Sequence, residues 1–281
     1  MEYREFYNGV KIPMLGFGVF QVPNYDEAKN AVLTALKNGY RLIDTAQAYM
    51  NEKAVGDAIK ESGIPREEIF ITTKIWVQNF SYEDALKSID LSMERLGVDY
   101  IDLMLLHQPV GDYINAWKAL ERAYKDGKLK AIGMANCYPH VITDICETFD
   151  IKPMINQVEL HPFFQQQLNI DTMNEYGVVP EAWGPFNEGK SNFFENPILT
   201  EIGKKYGKTA AQVALRWNIQ RGVVVIPKSV HEDRIKQNID VFDFVLSDED
   251  MDKIKTMDTG KSEIVNHFDP QFIKLLHTIK C

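Results

Sequence analysis

Residues 101–106 read IDLMLL and residues 223–226 read VVVI. Apolar side chains at nearly every consecutive position leave neither face of a strand for water, the pattern of a parallel sheet covered by helices. Working outward from these two runs, similar short stretches occupy Met14–Gly18, Arg41–Asp44, Ile69–Lys74, Lys130–Ala135, Met154–Val158 and Val178–Trp183, making eight strand candidates. Segments with helical spacing separate them: Asp26–Asn38, Glu52–Glu61, Tyr82–Leu96, Tyr113–Lys125, Leu168–Tyr176, Thr209–Gln220 and Asp233–Val241. Eight β-then-α units in 281 residues predict an α/β fold, the (β/α)8 TIM barrel. A doubly wound open sheet is the competing fold. Against it, the LGFG of residues 15–18 lacks a third glycine at the right offset and does not open a helix.

The ends of the chain read as additions to the barrel. Asn8–Gly9 between two short extended stretches predicts an N-terminal two-residue β-hairpin that plugs the barrel floor. Ser247 with Asp250 three residues later marks a helix start, so the chain is expected to end in one helix and a short tail. With no linker, repeat or low-complexity run, residues 1–281 read as one domain.

Composition narrows the function. With 31 basic against 40 acidic side chains the net charge is −9, the wrong sign for a binder of nucleic-acid backbones, although a local basic pocket for one phosphate is compatible with it. Cys137, Cys146 and Cys281 are odd in number and widely spaced, giving neither a disulfide framework nor a zinc ribbon. Reduced thiols, an acidic start and no apolar run near 18 residues lead to the expectation of a cytoplasmic protein without signal peptide or membrane span. His140, His231, His267 and His277 lack metal-ligand spacing, so no metal is expected.

In a barrel of this kind, chemistry sits at the C-terminal ends of the strands. There the chain places Asp44 with Tyr49 just beyond it, Lys74, His107, Asn136, Gln157, Trp183, and Lys228 with Ser229. Singly, each has an ordinary structural explanation as a cap, a surface cation or a packed ring. Their coincidence at one mouth points to chemistry. A tyrosine hydroxyl titrates near 10 in isolation, and a lysine cation beside it would stabilise the phenolate and lower that value. Asp44 would hold the lysine, and a neutral His107 would orient a carbonyl group, a set suited to protonating a carbonyl oxygen. Clustered His and carboxylate ligands of a metal-assisted hydrolase are missing from these strand ends.

The stretches GYRLIDTAQAYMNEKAVGDAI, ITTKIW, LLHQP, INQVELHP, EAWGP and VVIPKS, followed by RIKQNIDVFDFVLSDEDM, resemble the aldo-keto reductases in order and spacing across nearly the whole chain. The resemblance implies a (β/α)8 barrel that reduces aldehydes or ketones with NADP(H), and places the family's tetrad on Asp44, Tyr49, Lys74 and His107. Tyr49 would be the general acid, Lys74 and Asp44 its tuners and His107 the orienter. It also implies nicotinamide contacts from Asn136, Gln157 and Trp183, and a pyrophosphate loop at Gly184, Pro185, Phe186 and Asn187. The adenosine 2′-phosphate would fall to Lys228, Ser229 and Arg234, and the adenine side to Ala211, Gln237 and Asn238. Gly18, Val19, Phe20, Ile226 and Val230 complete the implied cofactor site.

The substrate would meet Phe20, Tyr49, Trp76 and His107, with Phe80 and Tyr113 as rings that loop packing explains equally well. Ala135, Cys137 and Gln237 depart from the family's common serine, aromatic and glutamate. Phe20 and Trp183, where many mammalian members carry tryptophan and tyrosine, resemble the bacterial and protozoan branch of diketogluconate and methylglyoxal reductases. The implied partner is a small carbonyl compound, with neither nucleic acid nor membrane, and the chain is expected to be a monomer. A cofactor-binding barrel with little turnover is the alternative; all four tetrad residues are present against it.

Overall fold

The alternation of apolar runs and helical segments is realised strand by strand in the computed structural model, which describes residues 1–281. A short antiparallel pair, β1 (Tyr3–Glu5) and β2 (Lys11–Pro13), precedes the main sheet. Eight parallel strands follow in chain order: β3 (Phe17–Gly18), β4 (Leu42–Asp44), β5 (Phe70–Ile75), β6 (Ile101–Leu106), β7 (Leu129–Ala135), β8 (Ile155–Glu159), β9 (Val179–Trp183) and β10 (Val224–Val225). The ring closes between its first and last members. Leu15 bridges Val225, the Gly16 amide donates to the Val225 carbonyl at 2.8 Å, and the Gly18 amide donates to the Pro227 carbonyl at 3.1 Å.

Helices α1 (Tyr25–Lys37), α2 (Glu52–Ser62), α3 (Tyr82–Leu96), α4 (Tyr113–Lys125), α5 (Pro139–Thr148), α6 (Gln167–Glu175), α7 (Pro197–Tyr206), α8 (Ala210–Gln220) and α9 (Glu232–Ile239) lie between and after the strands. Local chemistry fixes their ends. Asn24, Ser81 and Thr209 each accept a backbone N–H of the first turn, and Thr209 with Gln212 forms a reciprocal capping box. Strand interior and inner helix faces share one apolar core of 75 buried residues, which holds the strand ends in fixed relation.

Two expectations for the chain ends are corrected. The hairpin loop has three residues, because Phe6 and Val10 still pair (2.8 Å) and Gly9 takes φ +87 to accommodate the extra residue. Phe6 and Ile12 nevertheless turn inward, and Phe6 packs on Phe70 at the start of β5, so the hairpin covers the barrel floor. At the other end α10 (Asp248–Lys255), capped by Ser247 as expected, is followed by a second helix, α11 (Pro270–Thr278), capped by Asp269. No helix is long and apolar enough to cross a membrane.

Gly56 shows how closely the helical layer is fitted. A Cβ there would stand 2.2 Å from the Leu96 carbonyl oxygen at the end of α3. Gly56→Ala should therefore lower stability by ~1–3 kcal/mol, the usual cost of overpacking, although alanine favours helix more than glycine does. Thermal unfolding checks this; an unchanged or raised melting temperature would contradict the close approach.

Candidate active site

Asp44 ends β4, and the chain turns at once into a single 3-10 turn, Gln47–Tyr49, that brings the tyrosine back over the strand ends. Lys74 stands near the end of β5 and is fully buried. Its ammonium donates to Asp44 Oδ1 at 2.6 Å and Oδ2 at 2.8 Å, to the Thr45 carbonyl at 2.9 Å and to the Tyr49 hydroxyl at 3.4 Å. Because lysine can only donate, the Tyr49 oxygen accepts here and its own O–H remains available to the cavity. His107 follows β6, with its ring 5.5 Å from Tyr49 and 5.0 Å from Trp76 between centroids, both edge-on.

The electrostatics agree with the expected roles except in one respect. Burial pushes the Tyr49 hydroxyl above its ordinary pKa, and the Lys74 cation only partly offsets this, so the phenol is not brought down toward neutrality as the residue types alone suggested. The tyrosine is thus held as the acid form. Burial also opposes the charge on Lys74, but Asp44, with Tyr49 and Glu181, outweighs it and raises the lysine pKa. Burial, then the nearby Lys74 charge, depresses His107 well below the usual histidine range, so it is neutral at pH 7. Its Nδ1 has no protein partner.

A cavity of about 640 Å³ opens over this group. Gly18, Phe20, Asp44, Tyr49, Trp76, His107, Asn136, Gln157, Trp183, Gly184, Pro185, Phe186, Ile226 and Lys228 of the expected site all line it. Lys74 lies just behind the wall. Asn136 is fixed in the left-handed region (φ 61), donates to the His107 carbonyl and accepts from the Trp183 indole N–H at 2.8 Å. Beyond Trp183 the Asn187–Asn192 segment carries four non-glycine residues at positive φ. It is tied down by Glu263, which accepts from Asn187 and Ser191. Ser229, Val230, Arg234, Gln237, Asn238 and Ala211 lie outside the cavity wall, on the β10–α9 side or on α8. Val19 is wholly buried in the core.

Phe80 and Tyr113 do not line the cavity: Phe80 is packed in the core, and Tyr113 sits half-buried at the start of α4. The wall is completed instead by Ile264, Val265, His267, Phe272, Leu276 and Ile279 from the C-terminal segment. That segment is moored to the substrate side, since the Trp76 indole donates to the Ile279 carbonyl at 3.0 Å and Gln78 donates to the Cys281 carbonyl at 2.6 Å. The apolar spacing in residues 272–276, FIKLL, was the available signal for it. Glu159 and His161 pair with each other at 3.0 Å, and Ser262 donates to the same glutamate, a brace between β8 and the C-terminal segment.

Glu181 on β9 also escaped notice. It is fully buried, accepts from Gln157 Nε2 at 3.0 Å, and lies close enough to Asp44 for the two carboxylates to repel. Burial and that repulsion push its pKa up to about 8. The telling sign was a charged residue inside an otherwise apolar run, VVPEAW.

A barrel whose strand ends bring Asp, Tyr, Lys and His together is matched, over residues 14–259, by the family model described as Aldo/keto reductase family. The chain belongs to the aldo/keto reductase family. Among characterised relatives of this aldo-keto reductase, the glyoxal reductase of Bacillus subtilis (strain 168) is 49% identical over 254 residues, covering 90% of this chain and 91% of the relative. The 9,11-endoperoxide prostaglandin H2 reductase of Trypanosoma cruzi (strain CL Brener) is 44% identical over 257 residues, with 91% of both chains covered. A crystal structure of a Bombyx mori aldo-keto reductase in complex with NADP superposes with a TM-score of 0.90 at 32% identity, covering 95% of each chain. These relatives agree with the bacterial and protozoan resemblance read from Phe20 and Trp183. As a member of this family the protein is an oxidoreductase.

Proposed function

We propose that this aldo-keto reductase reduces small aldehydes and ketones to alcohols with NADPH, Tyr49 supplying the proton. The observation that carries the reading is the continuous chain Asp44–Lys74–Tyr49, whose free hydroxyl faces the same cavity as the neutral His107. The residues present suit the cofactor. A Cβ at Gly18 would come within 3.0 Å of the Ile226 carbonyl, so glycine lets the first and last strands close up where both line the cavity. Lys228 on the cavity wall and Arg234 on α9 are exposed cations without an ion-pair partner, whereas Lys236 on the same helix is paired with Glu232 at 2.7 Å. Unpaired cations at a helix start suit a phosphate.

When bound, NADPH supplies a hydride to the carbonyl carbon. His107, neutral, donates a hydrogen bond that orients the carbonyl oxygen toward Tyr49. As negative charge develops on that oxygen, the Tyr49 O–H transfers its proton, and the resulting phenolate is stabilised by the Lys74 ammonium, itself held by Asp44. Solvent returns the proton to Tyr49 once the alcohol leaves. Phe20, Trp76 and the C-terminal wall exclude water around the reacting carbon. Following absorbance of the reduced nicotinamide against a panel of aldehydes and ketones, with NADPH and NADH in parallel, tests the reading. Turnover of several carbonyls with NADPH is expected, and none with either cofactor would refute it.

Cofactor choice gives a sharper test. A charge-assisted hydrogen bond contributes about 1.5–3 kcal/mol, so Lys228 and Arg234 together give an NADPH preference on the order of 10² or more. Arg234→Ala should weaken NADPH binding at least tenfold while leaving NADH nearly unchanged, and added salt should narrow the difference. Undiminished NADPH affinity in this variant, measured by titration, would remove the phosphate from α9.

A further inference from the structure

Gln157 stands on β8 between two carboxyl groups. Its Nε2 is 2.8 Å from Asp44 Oδ2 and 3.0 Å from Glu181 Oε2, and its carbonyl oxygen has no donor within the protein. A primary amide can flip by half a turn with little change of shape, and only its partners decide which end faces where. Here the Asp44 carboxylate, which already accepts from the Lys74 ammonium, forces the choice, because an amide oxygen turned toward it would bring acceptor against acceptor, and Glu181 Oε2 takes the second N–H. Both N–H groups of Gln157 must face inward, and Oε1 must face the cavity that Gln157 lines. Glu181 is placed for this by the strand register: it pairs directly with Gln157 across β8 and β9, and with Val224 of β10 on its other side, which brings no charge.

We propose that Glu181 is a positioning residue of the reductase site: with Asp44 it locks the Gln157 amide so that only a hydrogen-bond acceptor faces the cofactor, and its ionisation weakens Tyr49 as an acid. The proposal rests on the reductase reading above. With its orientation fixed, Gln157 accepts only a donor, such as the N–H2 of a nicotinamide carboxamide, and so selects one of that group's two rotations. Freed from Glu181, the amide loses one of its two anchors and the selection softens.

The second consequence follows from charge. The ionisable groups around Glu181 are Asp44 from β4, Lys74 from β5, Tyr49 from the turn after β4 and, beyond Lys74, His107 after β6. Tyr49 and Lys74 are raised from ordinary values that are already alkaline, and His107 is depressed below the neutral range. Glu181, near 8, is therefore the member of this cluster that changes charge between pH 7 and 9. Above that point a second carboxylate beside Asp44 strengthens the hold on the Lys74 cation and disfavours a Tyr49 phenolate, so proton donation slows as pH rises.

Two substitutions separate these effects. Glu181→Gln keeps an oxygen to accept from Gln157 and removes the charge; Glu181→Leu removes both. By titration of tryptophan fluorescence, NADPH affinity should fall about fivefold or more in Glu181→Leu, the weight of one buried hydrogen bond, and stay within twofold in Glu181→Gln. In single-turnover aldehyde reduction from pH 6 to 9.5, the unmodified enzyme should slow through a transition near 8 that Glu181→Gln lacks. Parent-like NADPH affinity in Glu181→Leu, or the same alkaline transition in Glu181→Gln, would overturn the proposal. If Glu181→Leu does not fold, the Glu181→Gln profile still decides. Failure of the reductase reading would show separately, as absent turnover by the unmodified chain, since the binding comparison depends on no reaction.

Discussion

Tyr49→Phe is expected to lose carbonyl reduction by a factor of ~10²–10⁴ while binding NADPH within a few-fold of the parent, the usual weight of one positioned acid. The substitution removes a single oxygen. The ring packs against Phe20 at 4.9 Å and His107 at 5.5 Å between centroids, contacts that phenylalanine retains, so the shape of the cavity is preserved. What disappears is the O–H aimed into it and the acceptor 3.4 Å from Lys74. Since burial holds the tyrosine protonated well past neutral pH, the acid form is abundant at every working pH, and the loss should be uniform between pH 6 and 7, below the Glu181 transition. Single-turnover rates with an aldehyde, beside cofactor titration, measure this. A rate near that of the parent would take the proton away from Tyr49.

Lys74→Met should be impaired as severely and by two routes. Without the ammonium, a developing phenolate at Tyr49 loses its nearest cation, and the rate should fall by a similar ~10²–10⁴. Stability should fall as well. Lys74 is fully buried and serves two carboxyl groups, paired directly with Asp44 and near enough to Glu181 to oppose the rise in its pKa. Removing one partner of a buried ion pair typically costs 3–5 kcal/mol, roughly, because the other is left without compensation. Chemical denaturation and single-turnover kinetics on one preparation distinguish the two losses. A variant with a lowered midpoint but parent rates would leave Lys74 a structural role only.

Much of this architecture is legible in the residues. The strands of consecutive apolar side chains lie where expected, and Ile101–Leu106, Tyr82–Leu96 and Tyr113–Lys125 match residue for residue. Burial on both faces writes itself into every position of such a run. Helices α5, α7 and α11 were missed, and they share a cause. Each opens with proline at its first position, Pro139, Pro197 and Pro270, where the missing N–H costs nothing, yet proline among polar neighbours reads as a loop. The tetrad could be placed because each member ends or follows a strand. Its electrostatic balance could not, because residue types report neither how deeply Tyr49 is buried nor that Glu181 faces Asp44 from across the barrel. The C-terminal wall was hidden for another reason: its residues reach the cavity by folding back from outside the β/α repeat, and no local period records that return.

The closure of the barrel also governs how the protein can come into being. The amides of Gly16 and Gly18 meet carbonyls at Val225 and Pro227, partners more than two hundred residues away along the chain. Gly18, Ile226 and Lys228, which frame one end of the cavity, belong to the two sides of this join. During synthesis, therefore, a growing chain shorter than about residue 228 holds a sheet with two open edges and no finished pocket, and such edges are prone to pair with other chains. The binding cavity is therefore completed late: the eighth strand must find the first, and the C-terminal wall from Ile264 to Ile279 must then fold back over the mouth.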